Sequence, residues 1–151
     1  MKNALLGVGV IVVLILVFGL LACGNGGASS GTLTVGITGF PPGADGKMLF
    51  MGLYEGGADP FSASLLAVGE IELGIEESEV MRDPITNENI VLDPGHYDLY
   101  LWIDMNDNMD TVQEPEKDID MTHVSFPFPV TIDGDITVTL TANAFELFPG
   151  W

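Results

Sequence analysis

The segment Asp104-Met105-Asn106-Asp107-Asn108-Met109-Asp110 carries the strongest chemical pattern in this 151-residue chain. Asp104, Asn106 and Asn108 stand at positions 1, 3 and 5, and oxygen ligands at alternate positions of a tight loop converge on one hard cation. Ca²⁺ takes several such oxygens, so Asp110 and Glu114 are candidate further ligands. Seven acidic residues and one lysine lie between positions 104 and 120, and that much like charge requires hydration or a cation. Asp and Asn also form turns readily, so a solvated acidic loop without metal accounts for the same residues.

Two further groups of side chains invite a functional reading. Tyr100 and Trp102 fall on the face of a strand opposite Leu99 and Leu101. Exposed, they form a ligand platform of the kind that stacks on sugar rings or on a partner's side chains. On a central strand both would instead be covered. His96 and His123 are the only histidines. They lack paired spacing on a helix, and no serine sits in a Gly-x-Ser-x-Gly context. An envelope hydrolase would need geometry that the spacing does not supply, so the chain reads as a non-enzyme.

Leu92-Asp93-Pro94-Gly95-His96-Tyr97 runs through a strand into Asp104-x-Asn106-x-Asn108. This resembles exported bacterial modules of the transthyretin-like (prealbumin-like) and carboxypeptidase-regulatory-like kinds. There a proline-glycine turn leads into a tyrosine-bearing strand that ends in an Asp-x-Asn-x-Asn-Gly loop. The resemblance covers roughly 30 residues and implies a β-sandwich. Met109 stands where the pattern has glycine, and the twelfth position from Asp104 is Pro115 rather than a bidentate Glu.

At the front, Lys2 precedes a long apolar run that closes with Leu20-Leu21-Ala22-Cys23. A cation, an apolar core and a small residue before a cleavage point form a secretory signal. The closing tetrapeptide resembles the lipobox of bacterial lipoproteins. That resemblance implies diacylation of the Cys23 sulfur, cleavage before it and acylation of the new amine. It implies an envelope location, anchored to a membrane through lipid on the exported side. Gly24 in place of Asp points to the outer membrane in a Gram-negative cell. Ala4 to Ala22 is also long enough for an uncleaved anchor, which would leave the rest of the chain on the same side.

Without the signal, three basic residues (Lys47, Arg82, Lys117) face 22 acidic ones, a formal charge of −19. Such a surface repels nucleic acid and anionic headgroups. Cys23 is the only cysteine, so the exported domain has no disulfide and must be held by packing.

The elements read as short strands. Leu33, Val35 and Ile37 alternate with polar or small residues, and Met48 to Tyr54 is apolar on both faces, as a central strand requires. Ile71, Leu73 and Ile75 alternate with glutamates, and Tyr97 to Ile103 alternates again. Residues 76–89 read as irregular, and 90–92 as a short strand. Val124 to Ile132 keeps one apolar face, with Pro127 and Pro129 marking an edge. Asp133-Gly134 is a two-residue hairpin signal leading into Ile136 to Ala142.

The resulting expectation is all-β: a single antiparallel sandwich of about seven strands, immunoglobulin-like or prealbumin-like. Residues 1–22 are the signal, 23–31 the lipidated cysteine and a Gly/Ser tether, and 32–151 the domain. The expected role is a binding or structural module on a membrane, braced by Ca²⁺, with an unidentified protein or glycan partner and no nucleic acid. The alternative is a carbohydrate- or protein-recognition module built on Tyr100 and Trp102.

Overall fold

The computed structural model describes residues 27–108 and 114–151. The lipobox with Cys23, and Met109 and Asp110 of the acidic loop, lie outside the described residues. Among the described residues, nine strands run in the order β1 (Leu33–Thr38), β2 (Met48–Glu55), β3 (Ala67–Glu72), β4 (Ser78–Val80), β5 (Gly95–Asp104), β6 (Met121–His123), β7 (Phe128–Ile132), β8 (Ile136–Thr141) and β9 (Phe145–Leu147). One 3₁₀ turn at Ala142–Ala144 links the last two.

The strands form two packed sheets, the all-β sandwich expected from the alternation. The small sheet has the order β4-β1-β8. The large one has the order β3-β2-β5-β6-β9, with β7 also paired to β5. Leu33, Val35 and Ile37 of β1 and Leu140 of β8 form one wall of the core. Leu49, Met51 and Leu53 of β2, with Leu99, Leu101 and Ile103 of β5, form the other. β2 lies between β3 and β5, and its outer face is covered by rings of β5, with Phe50 stacked on Trp102 and Tyr54 against Tyr100.

One pairing is not antiparallel. β1 and β8 run parallel in register from Leu33↔Ile136 to Thr38↔Thr141. This follows from a second difference. Asp133-Gly134 does not close a hairpin, because β7 pairs with β5 in one sheet and β8 with β1 in the other. The turn is an arch between sheets. Both flanking strands have an apolar face, and the arch lets Val130 and Ile132 meet Leu140 across the core.

The remaining differences are local. The strand expected at Ile71–Ile75 runs instead over Ala67–Glu72, and the chain turns just beyond it at Gly74, whose φ is +89°. Ile75 is left exposed. The irregular 76–89 segment contains β4, while 90–92 makes only an isolated bridge from Leu92 to Gly31. The single strand expected over 124–132 is broken, and only β7 keeps the edge character that Pro129 signals. The intervening loop frees Phe126 from strand alternation and sends it to the opposite face of the large sheet, against Tyr100.

The ordered domain begins before residue 32. Ser29 N–H donates to Asp133 Oδ1 at 3.1 Å, and Gly134 N–H donates to the Ser29 carbonyl at 2.7 Å. Thr32 donates its N–H and its hydroxyl to Asp135 Oδ1, each at 2.8 Å. Gly31 exchanges backbone hydrogen bonds with Leu92 at 2.9 and 3.0 Å.

A Cβ on Gly31 would lie 2.0 Å from the Gly134 carbonyl carbon and 2.4 Å from Asp135 N. Both are backbone atoms and cannot step aside without moving the arch. Gly31→Ala should therefore destabilise the domain by about 1–3 kcal/mol, as overpacking does elsewhere. Gly36→Ala is the control, since its nearest new contact is an ordinary 3.4 Å. Urea denaturation of both variants checks the contrast, and equal stability would mean the arch does not press on Gly31.

Candidate functional site

The two outer faces of the sandwich differ in kind. The small sheet presents threonines: Thr34 and Thr38 of β1, and Thr137, Thr139 and Thr141 of β8. That is the polar solvent face a sandwich normally carries. The large sheet presents aromatic rings at the matching positions. Register pairs Phe50 of β2 with Trp102 of β5, and the two rings stack with centroids 5.8 Å apart. Tyr54 meets Tyr100 edge-on at 5.4 Å.

Tyr100 does not stand open as a platform. It is 7% exposed, covered by Tyr54, Phe126 and Trp151. Gly52, directly opposite Tyr100 in the register, has no side chain, and Leu65 comes down over it. Trp102 is half-buried. The rings that reach solvent are Phe61, 64% exposed, and Trp151, 61% exposed, with centroids 4.8 Å apart. Phe126, Phe148 and Trp151 close the cluster at 5.2–5.7 Å.

Between these rings lies an open groove of about 460 Å³, floored by Tyr100 and walled by Phe61, Phe126, Phe148 and Trp151. A side recess of about 130 Å³ adjoins it, between Tyr54, Trp102 and Glu114. Burial, then the charges of Asp98 and Asp59, push the Tyr100 phenol above its ordinary pKa. Burial does the same to Tyr54, so both stay neutral donors at physiological pH. The spacing of Tyr100 and Trp102 pointed to this face. Phe61, Phe126 and Trp151 were not legible as its partners, because three separate loops or segments carry them there.

The acidic loop after β5 is knit by hydrogen bonds. Asp104 and Asp120 are 4% and 2% exposed. Asp104 Oδ1 accepts from the Asn106 N–H at 3.2 Å. Asp120 accepts from Met105 N–H through Oδ1 at 2.9 Å and from Glu116 N–H through Oδ2 at 2.8 Å. Asn106 and Asn108 both donate their side-chain amides to Glu116 Oε2 at 2.6 Å. Lys47 pairs with Asp107 at 2.5 Å. Asn106 thus links Asp104 to Glu116, and Asn108 joins it on the same Glu116 oxygen. Glu114 turns to the aromatic recess. Among the described residues, no three His, Cys, Asp or Glu side chains come close enough together to hold a metal ion.

The histidines are separate. His96 is exposed, with Nδ1 3.0 Å from Thr131 Oγ1. His123 is buried between Phe128 and Phe145, and its Nδ1 accepts from the Ser125 N–H at 3.0 Å.

No protein-family model matches this chain, and no curated protein matches it. Among solved structures it is similar to a crystal structure of (S)-allantoin synthase, with a TM-score of 0.35 and 14% identity. The match covers 82% of this chain and 45% of that one, so the chain spans under half that protein's length. A likeness this distant carries no argument about activity.

The amides of Asn106 and then Asn108 hold the Glu116 carboxyl below its usual pKa. A carboxylate lowered by folding adds stability above its unfolded pKa of about 4.3 and loses it as pH falls through the lower folded value. Glu116→Gln should therefore be less stable than the wild type near neutrality, with the gap narrowing as pH falls below the unfolded value of about 4.3. Denaturation curves across that range test this. A pH-independent gap would mean that the Glu116 charge does not brace the loop.

Proposed function

We propose that this protein is a lipid-anchored, exported binding module that presents the aromatic groove of its large sheet to a ligand outside the membrane. The observation that carries this reading is the exposure of Phe61 and Trp151 above a buried aromatic floor. Packing alone would cover such rings or replace them with the threonines used on the opposite sheet. The isolation of His96 from His123 supports a non-catalytic role.

The anchor reading adds an orientation. Ser29, Asp93 and the Asp133–Asp135 arch lie at one pole of the sandwich, joined by hydrogen bonds. Six residue steps from Cys23 to Ser29 span at most about 20 Å, so that pole would stay near the bilayer. β5 runs from this pole for ten residues, about 33 Å, before reaching the acidic loop. The acidic loop then faces away from the membrane, and Tyr100 and Trp102 lie in the distal half of the same strand. Cys23→Ser should abolish fatty-acid incorporation and leave unprocessed precursor. Normal maturation of that variant would remove the anchor from the reading.

Trp102 and Trp151 are the only tryptophans and both line the recess, so their fluorescence reports on it directly. A panel of soluble glycans, peptides and small organic solutes should include one that shifts this emission saturably. Combined Phe61→Ala and Trp151→Ala should abolish its binding, measured by calorimetry. Binding unchanged in that double variant would mean the groove is packing rather than a site.

Ca²⁺ belongs to the same reading as a brace for the distal loop. Asn106 and Asn108 would turn their amide oxygens toward an ion held also by Asp104 and Glu116, with water completing the shell. With so few carboxylates, affinity should be that of a weak extracellular site, on the order of 10⁻⁴–10⁻³ M. Ca²⁺ should raise the melting temperature more than Mg²⁺ or NaCl at equal ionic strength, and Asp104→Ala should remove the difference. Equal effects of all three salts would leave the hydrogen-bonded loop alone.

A further inference from the structure

The side recess is the part of the groove whose chemistry is most restrictive. Six aromatic residues line it: Tyr54, Phe61, Tyr100, Trp102, Phe126 and Trp151. Pro60, Pro115 and one ionisable aliphatic side chain, Glu114, complete the wall. Among the described residues, no lysine or arginine lines either the recess or the larger groove.

None of the three cations of the domain lines the recess. Lys47 is paired with Asp107, and Arg82 with Glu79 at 2.7 Å. Lys117 lays its aliphatic stem against Gly150, a wall residue of the larger groove, but does not line the recess. Negative charge does approach the aromatic floor. Asp98 and Asp59 act on the Tyr100 phenol in the direction that opposes its ionisation. Glu146 adds a carboxylate along the groove.

The faces of aromatic rings carry negative electrostatic potential and attract cations, most strongly for tryptophan and tyrosine. An ordinary ammonium would have to give up its hydrogen bonds to water to enter an apolar recess. A quaternary ammonium has no N–H to satisfy and a low desolvation cost, so a ring-walled recess with one carboxylate suits it. A sugar presents hydroxyls on every edge and needs several directed polar partners, which this wall of rings and prolines supplies sparsely. An anionic ligand meets a domain of formal charge −19.

We propose that the recess between Tyr54, Trp102, Trp151 and Glu114 binds a small organic cation with a quaternary ammonium head, free in solution. This rests on the reading of the groove as a ligand site and specifies what that site takes. Glu114 acts as the counter-charge at the rim, and the rings enclose the methyl groups.

The test uses the full-length chain in nanodiscs of phosphatidylglycerol, a lipid without an ammonium group. Choline and tetramethylammonium are titrated against 3,3-dimethylbutanol, which has the shape of choline with carbon in place of N⁺. Both cations should shift the tryptophan emission saturably, and the neutral isostere should bind at least about tenfold more weakly. Glu114→Gln should weaken choline binding severalfold without changing the melting temperature or the response to the isostere. Trp102→Leu should weaken it further, read through Trp151.

Equal binding of choline and the isostere would overturn the cation assignment while leaving the groove as a site for neutral ligands. No response to any of the three, with a glycan or peptide from the wider panel still binding, would overturn it in the same way. A failed panel together with failed cations would remove both readings. A tryptophan shift on replacing phosphatidylglycerol with phosphatidylcholine, with no solute added, would assign the ammonium to a lipid headgroup and overturn the free-solute form.

Discussion

β5 is hydrogen-bonded along one edge to β2 over eight residue pairs and along the other to two different strands. β7 takes its first half and β6 its end. The strand therefore has no free edge over most of its length, and both of its faces are covered. Leu99, Leu101 and Ile103 enter the core, while Tyr100 and Trp102 point outward. Asp104, its last residue, starts the acidic loop. The site and the loop are thus positioned by the same ten residues, and a shift of register by one would exchange the core leucines with the aromatic floor. That fixed alternation gives the groove its rigidity without a disulfide.

The second constraint is the arch at Asp133–Asp135. It carries the chain from one sheet to the other and is held by Ser29, Gly31 and Thr32. Joining the start of the domain to the arch closes the sandwich at the pole where the described chain begins. The opposite pole is closed differently, by carboxylates accepting backbone N–H groups and asparagine amides. Concentrated negative charge is tolerable there because Asp104 and Asp120 each have a hydrogen-bond partner, and Glu116 has two amide donors.

The two outer sheet faces differ in the side chains they carry. Threonines on β1 and β8 suffice for a solvated sheet. The rings on β2 and β5 exceed that need, and they draw in Phe61, Phe126 and Trp151 from outside the sheet. A region built only for stability would bury those rings. Here two of them stay exposed beside a groove whose charged wall groups are acidic.

Much of this was legible in the residues. Period-two alternation specified strands, because side chains on a strand must divide between core and solvent. The double-sided apolar pattern of Met48–Tyr54 marked a central strand, and Pro129 marked an edge. Asp104, Asn106 and Asn108 were legible as a group because alternate positions in a tight loop converge. Three things were not. Asp133-Gly134 reads locally as a hairpin, and only the competing partners β1 and β5 turn it into an arch. Glu116 lies one position beyond the expected ligand spacing, and its approach depends on Asp120 folding the loop back. Phe126 and Trp151 reach Tyr100 through loops with no periodicity. Local chemistry sets which way a side chain points along its own strand. Which distant residue it meets depends on sheet pairing, a long-range choice decided by the core as a whole.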